Sequence, residues 1–276
     1  NMLEVAQQHI SNAGGVFTQL GDRYGQAKVL QGTALTMSRA GKSEEAIEFT
    51  HAAIRIYREL PGRELDIGYS LFNLAIYLES LHRAGEGLLH LQEAKIIAYK
   101  LDKLRLLSNT LGQIGVAHAA RQEIEPSRAS LNEALSVAKT LNDPETLTWL
   151  YLHMAELELS VHCHDEAERN FLLALETGKN LKLEDCLHRC HKGLVKIYDT
   201  RGDTKGALDH HKHFHLFKLD IVQEASNRSL QQLQSSIELD QSKKEKILLE
   251  QVKHDLEVRV LERTRELTIM VQKLES

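Results

Sequence analysis

Apolar residues recur at spacings of three and four through most of the chain, as expected of helices that each bury one face. In one stretch two such stripes follow each other: Leu71, Leu74, Ala75 and Leu78, then Leu88, Leu91 and Ala94. A pair of small residues spaced seven apart recurs along with the stripes. It appears as Ala6/Ala13, Ala46/Ala53, Gly87/Ala94, Ser127/Ala134 and Ala167/Ala174, then Ala207/Phe214 with the second member enlarged. The second members step by 40, 41, 40, 40 and 40 residues. Nineteen residues before each second member, from the second unit on, stands another compact residue: Ala34, Ala75, Gly115, Ala155 and Val195. Small side chains at a fixed phase let two helices approach closely, so each unit reads as a helical hairpin closed at these points. Breaks such as Leu60-Pro61-Gly62 and Leu141-Asn142-Asp143-Pro144 end one helix and start the next.

The small-residue pair, the compact residue and turns such as Ala40-Gly41-Lys42-Ser43-Glu44-Glu45-Ala46 and Arg201-Gly202-Asp203-Thr204-Lys205-Gly206-Ala207 resemble the tetratricopeptide repeat (TPR) family. The likeness covers roughly residues 2–217, half a unit followed by five full ones. Two features depart from it. The aromatic residue expected early in the first helix is Leu30, Leu71, Leu111, Tyr151 and His191, and the terminal proline is mostly absent. The resemblance implies an all-α superhelix of about five and a half repeats whose concave face is lined by the first helix of each hairpin. On that face it places Lys28, Gln31 and Leu35; Tyr69, Phe72, Asn73 and Ile76; Asn109, Gln113 and Val116; Trp149, Leu152, His153 and Glu156; and Arg189, Lys192 and Lys196. The middle of this face is apolar and aromatic and its last unit basic, which suits a peptide, protein or small ligand with an apolar stretch and an acidic end.

The repeat pattern ends near Leu219, and a segment free of Gly and Pro runs to Ser276. Residues 1–217 are therefore expected to form a sensor or interaction array, and 218–276 a coiled-coil helix. Leu230, Leu233 and Ile237 form one heptad stretch; Leu256, Val260, Leu267, Met270 and Leu274 form another, with Arg263 at one core position. Polar residues from Asp240 to Lys246, and a shifted phase at Leu249 and Val252, predict a stutter or a break between them. A narrow apolar seam without a neighbouring repeat predicts a parallel homodimer, the alternative being a helix folded back on the last repeat.

The run Leu256-Glu257-Val258-Arg259-Val260-Leu261-Glu262-Arg263-Thr264-Arg265-Glu266-Leu267 resembles the connecting helix of bacterial signalling proteins. That resemblance implies an output domain after the helix, either a GGDEF diguanylate cyclase making cyclic di-GMP or a histidine kinase. Ending in mid-heptad at Leu274-Glu275-Ser276 without a C-cap glycine, and opening on Asn1-Met2, the sequence is expected to be cut from a longer protein. A free-standing dimeric TPR scaffold is the other reading.

Composition narrows the partners. With 34 basic and 39 acidic residues and a net charge of −5, nothing favours nucleic acid or an anionic membrane. No apolar run approaches the ~20 residues of a membrane span. Three cysteines without an extracellular spacing fit a reducing, cytoplasmic setting. No phosphate-binding loop, G-x-S-x-G or H-E-x-x-H motif is present, so catalysis and a cofactor are not expected of this chain. His254-Asp255-Leu256 lacks the sequence context of a phosphoacceptor histidine. All three cysteines and nine of the 15 histidines fall between residues 153 and 215. Cys186/Cys190 and His211/His215, each four apart on facing helices, are a candidate zinc or redox set; the competing reading is packing, with His191 and His211 at core positions of the repeat.

Overall fold

The computed structural model describes the backbone of residues 2–181 and 183–274; the side chains of residues 1–8, 11, 182, 214, 216–225, 228, 232, 238, 239, 242, 243, 247, 255, 258, 261, 262 and 265–276 lie outside the description. Among the described residues there are eleven helices and no strand. They are α1 (Met2–Gln19), α2 (Arg23–Arg39), α3 (Ser43–Glu59), α4 (Glu64–Ser80), α5 (Ala84–Lys100), α6 (Leu104–Ala120), α7 (Ile124–Leu141), α8 (Pro144–Ser160), α9 (His164–Gly178), α10 (Glu184–Arg201) and α11 (Thr204–Leu274). The chain divides into two compact units, Met2–Leu219 and a second that starts at Asp220.

In the first unit α2/α3, α4/α5, α6/α7 and α8/α9 pack as antiparallel hairpins, α1 packs on α2, and α10 leads into the start of α11. This is a TPR-type superhelix of helical hairpins. The small residues sit where the helices cross. Ala46, Ala53, Ala94, Ala134, Ala167 and Ala174 are completely buried. A methyl group added to Gly87 would lie 3.3 Å from Ala75 Cα, and the Ser127 hydroxyl donates to the Gly115 carbonyl at 2.8 Å. In these two repeat units the pair thus meets the compact residue of the preceding helix, and larger apolar side chains are buried beside the crossings. Leu71, Leu74, Leu91, Leu111 and Leu131 are all at most 1% exposed.

The turns between the helices share one conformation. A left-handed residue stands in the turns at roughly twenty-residue intervals from Gly21 through Gly41, Gly62, His82, Asp102, Gln122 and Asn142 to His162, and another forty residues on at Gly202. At His82 the turn closes with His82 N–H donating to the Glu79 carbonyl (2.8 Å) and Arg83 N–H to that of Leu78 (2.8 Å), a Schellman closure. The same pair of bonds recurs at Gln122, with Gln122 N–H to Ala119 and Glu123 N–H to His118. The predicted Asn142-Asp143-Pro144 break takes the same form: Asn142 is left-handed, Asp143 caps α8 through Thr146 N–H, and Pro144 opens the helix.

The second unit consists of the rest of α11. Its backbone stays helical from 240 to 246, so of the two alternatives read there the helix is not broken. Lys244 and Asp240 pair along it at 2.8 Å. Leu230, Leu233, Ile237, Leu256, Val260 and Arg263 of the expected seam are exposed, as are Leu248, Leu249 and Val252. The side chains of Leu267, Met270 and Leu274 lie outside the description.

Candidate ligand groove

Helices α4, α6, α8 and α10, the first helices of successive hairpins, line a cavity of about 440 Å³. Its wall is aromatic and apolar at Phe72, Ile76, Leu150 and Trp149, with polar groups from Asn109, Gln113, Thr146 and His153 and charged ones from Glu79, Arg105, Glu145 and Arg189. Gly112 belongs to the lining as well; a Cβ there would come 2.5 Å from Leu150 Cδ2, so its absence permits the close approach of α6 to α8.

The polar side chains are tied down. Gln113 donates through Nε2 to the Glu79 carboxylate. The Thr146 hydroxyl lies 3.2 Å from Asn109 Oδ1 and 2.9 Å from Asp143 Oδ2. Asp143 also takes an ion pair from Arg105 at 3.1 Å. Trp149 stacks on His153 with ring centroids 6.1 Å apart, and the Arg189 guanidinium sits 5.9 Å from the Trp149 centroid. Arg189 makes a two-pronged bond to Glu156, at 3.0 and 2.6 Å. Burial pushes the Glu156 carboxyl up, but hydrogen bonds from His153 and Arg189 together with their charges outweigh it and hold the group below the usual carboxylate range.

Arg189 also borders a second cavity of about 400 Å³, formed with Glu156, Leu159, Ser160, Phe171, Lys192, Gly193 and Lys196. Two adjoining spaces therefore share one arginine, the first largely aromatic and the second basic.

Of the residues placed on this face from the sequence, Phe72, Ile76, Asn109, Gln113, Trp149, His153 and Arg189 line the first cavity, and Arg189, Lys192, Lys196 and Glu156 the second. Tyr69 and Asn73 line neither. Lys28 is engaged with Asp66 at 2.6 Å and lies over the Tyr24 and Tyr57 rings, and Gln31 bridges Ser70 and the Tyr57 hydroxyl. Leu152 is a correction. It is completely buried in the core with Ala155, Phe171 and Leu194. On α8 the positions three and four apart from Trp149 diverge: His153 borders the cavity, while Leu152 packs inward.

Glu79, Arg105, Glu145, Thr146 and Leu150 were not among the sequence candidates. Their signal was present in the spacing. Glu79 follows Ile76 by three, Arg105 precedes Asn109 by four, and Glu145 precedes Trp149 by four, so each extends a lining stripe by one turn.

The candidate zinc set does not assemble. Cys186 and Cys190 are completely buried in the core. A hydrogen bond with Cys186 and burial both push the Cys190 thiol up. His211 and His215 are exposed, with their rings edge-to-face at 4.2 Å, so His211 is not the core residue expected. Among the described residues no group of three or more His, Cys, Asp or Glu is placed to hold a metal ion. Nor is any helix among them long and apolar enough to cross a membrane.

No family model matches the chain. No curated protein matches it either. Solved structures do. The chain is similar to BtubC (BKLC) from P. vanneervenii, with 15% identity and a TM-score of 0.63 over 79% of this chain and 90% of that one. It is similar to a Rap protein complexed with competence and sporulation factor, at 16% identity and a TM-score of 0.64, covering 71% of this chain and 54% of that one. A third is a signal-transduction ATPase with numerous domains from Pyrococcus horikoshii that carries a tetratricopeptide repeat sensor: 16% identity, TM-score 0.59, 73% of this chain and 31% of that one. At these identities the likeness establishes the TPR fold.

Proposed function

We propose that the chain is the input half of a signalling protein, non-catalytic in itself. The repeat unit takes up a peptide, protein segment or small ligand in the groove of α4, α6, α8 and α10. The helix from Asp220 onward pairs with its counterpart in a second copy. Ligation favours one of two packings of that pair and so alters an attached output domain, a GGDEF diguanylate cyclase or a histidine kinase.

The observation that carries this reading is the 440 Å³ cavity with Trp149 in its wall, in the size range of ligand sites and built from residues of four hairpins. Two structural relatives agree with it: one holds competence and sporulation factor, and the other's repeats are a sensor. The segment at 256–267 supports the signalling context.

Trp149 is the only tryptophan of the chain, so its fluorescence reports on the cavity directly. Screened against a random octapeptide library, the protein is expected to yield peptides that change this emission saturably, and Asn109→Phe, which enlarges a half-buried side chain of the cavity wall, is expected to abolish the change with the thermal melting of the repeats retained. A library without any saturable binder would overturn the groove as a ligand site.

A further inference from the structure

The two cavities carry opposite charge, and this specifies the ligand. In the first, both cations are neutralised locally: Arg105 by Asp143 at 3.1 Å, and Arg189 by the two-pronged bond to Glu156. Its two lining carboxylates have no such partner. Glu79 receives an amide hydrogen bond from Gln113, and Glu145 has no ion pair among the described residues. Glu145 sits in the first turn of α8. In the second cavity the balance reverses. Glu156 is consumed by Arg189, while Lys192 and Lys196 have no carboxylate partner among the described residues.

The shared Arg189–Glu156 pair therefore divides an anionic aromatic space from a cationic one. Concave sites lined by one sign of charge concentrate the opposite sign, and an aromatic wall adds attraction for a cation.

Building on the reading of this face as the ligand groove, we infer that the ligand is a dipolar peptide. Its basic side chain or terminal ammonium, flanked by an apolar residue, occupies the space beside Trp149 between Glu79 and Glu145. Its carboxylates lie against Lys192 and Lys196. A ligand that is only apolar and acidic leaves Glu79 and Glu145 without a counter-charge, and one that is only basic does the same to the lysines.

Four heptapeptide probes with blocked termini and a common Ile-Phe-Ala-Ala core test this by Trp149 fluorescence at low salt. One has lysine at one end and two glutamates at the other; a second replaces lysine with norleucine; a third replaces both glutamates with glutamine; a fourth carries both changes. Each is made in both sequence directions. The dipolar probe is expected to bind best, with each single neutralisation weakening it roughly tenfold, the scale of one charge-assisted contact. In Glu79→Gln/Glu145→Gln protein the lysine-to-norleucine penalty should vanish while the glutamate penalty persists; in Lys192→Gln/Lys196→Gln protein the reverse should hold. Unchanged thermal melting of these surface variants shows that they fold.

Equal affinity for all four probes would overturn the dipolar assignment and leave the groove standing. Absence of binding by any of them at millimolar concentration, together with a library that yields no binder, would overturn both.

Discussion

Thr110 on α6 is completely buried, and its hydroxyl has no hydrogen-bond partner among the described residues. A buried hydroxyl without a partner keeps its desolvation cost, and a methyl group of the same shape does not. Thr110→Val is therefore expected to stabilise the fold by about 1 kcal/mol, read as a higher urea midpoint at unchanged slope. Gly115 makes the opposite case. A Cβ there would fall 2.6 Å from Leu131 Cγ and 3.2 Å from the Ser127 carbonyl oxygen, at the point where α6 and α7 touch. Ala is the better helix former, yet Gly115→Ala is expected to cost about 1–2 kcal/mol because the overpacking outweighs the propensity. The crossing points were readable from sequence because small residues have one strong reason to recur at a fixed period. The turns were only partly readable. Glycine marks Gly21, Gly41, Gly62 and Gly202, and Asn142 stands in a predicted break, but His82, Asp102, Gln122 and His162 take the same left-handed conformation with no such signal around them.

Among the elements, the hairpin of α10 with the start of α11 is held differently from the others. At the repeat position filled by the buried Leu71 and Leu111 it has His191. His191 Nδ1 is 2.9 Å from His210 Nδ1, and its ring stacks on His213 with centroids 4.9 Å apart. His210 in turn stacks on Tyr198, whose hydroxyl donates to Glu168 of α9 at 2.6 Å. Burial, and then the charges of His210, His213 and His188, lower His191 to about 4; burial and His213 lower His210 against the opposing pull of Asp209 and Glu168. His191 therefore stays neutral in the folded hairpin until the pH nears 4, and His210 is shifted in the same direction, whereas in the unfolded chain a histidine takes up its proton below a pH of about 6.5. The contribution is complete above that pH and is lost as pH falls toward 4, on the order of 1–2 kcal/mol for His191 after allowing for its partial exposure. Amide exchange in α10 is expected to accelerate between pH 7 and pH 5 more than in α6, once intrinsic rates are corrected. His191→Leu should remove most of that difference; an unchanged difference would show that the imidazoles are not its source. The groove was legible in outline at the same scale. The resemblance to the repeat family placed Phe72, Asn109, Gln113, Trp149, His153 and Arg189 on the face, but not how far each stripe runs, so Glu79, Arg105 and Glu145, one turn further along the same stripes, and with them the sign of the cavity's charge, were missed. Leu152 failed because a single-residue difference in helical phase turns a groove position into a core one.

For the whole molecule, the chain divides into two compact units, and the proposed function assigns them two separable properties, ligand uptake to the repeats and pairing to the helix. Exposed Leu230, Leu233, Ile237, Leu256 and Val260 recur on a helix that stays continuous through its polar stretch, a pattern that calls for a covering partner. Val260→Asp would place a carboxylate in that seam and is expected to weaken pairing at least tenfold, with the melting of the repeats unaffected. The most direct test of the account is the mass of the chain by sedimentation equilibrium at ten micromolar, alongside a chain ending at residue 229. The account predicts twice 31.3 kDa for the full chain and a folded monomer for the shorter one. A full chain that sediments as a 31.3 kDa monomer would contradict it.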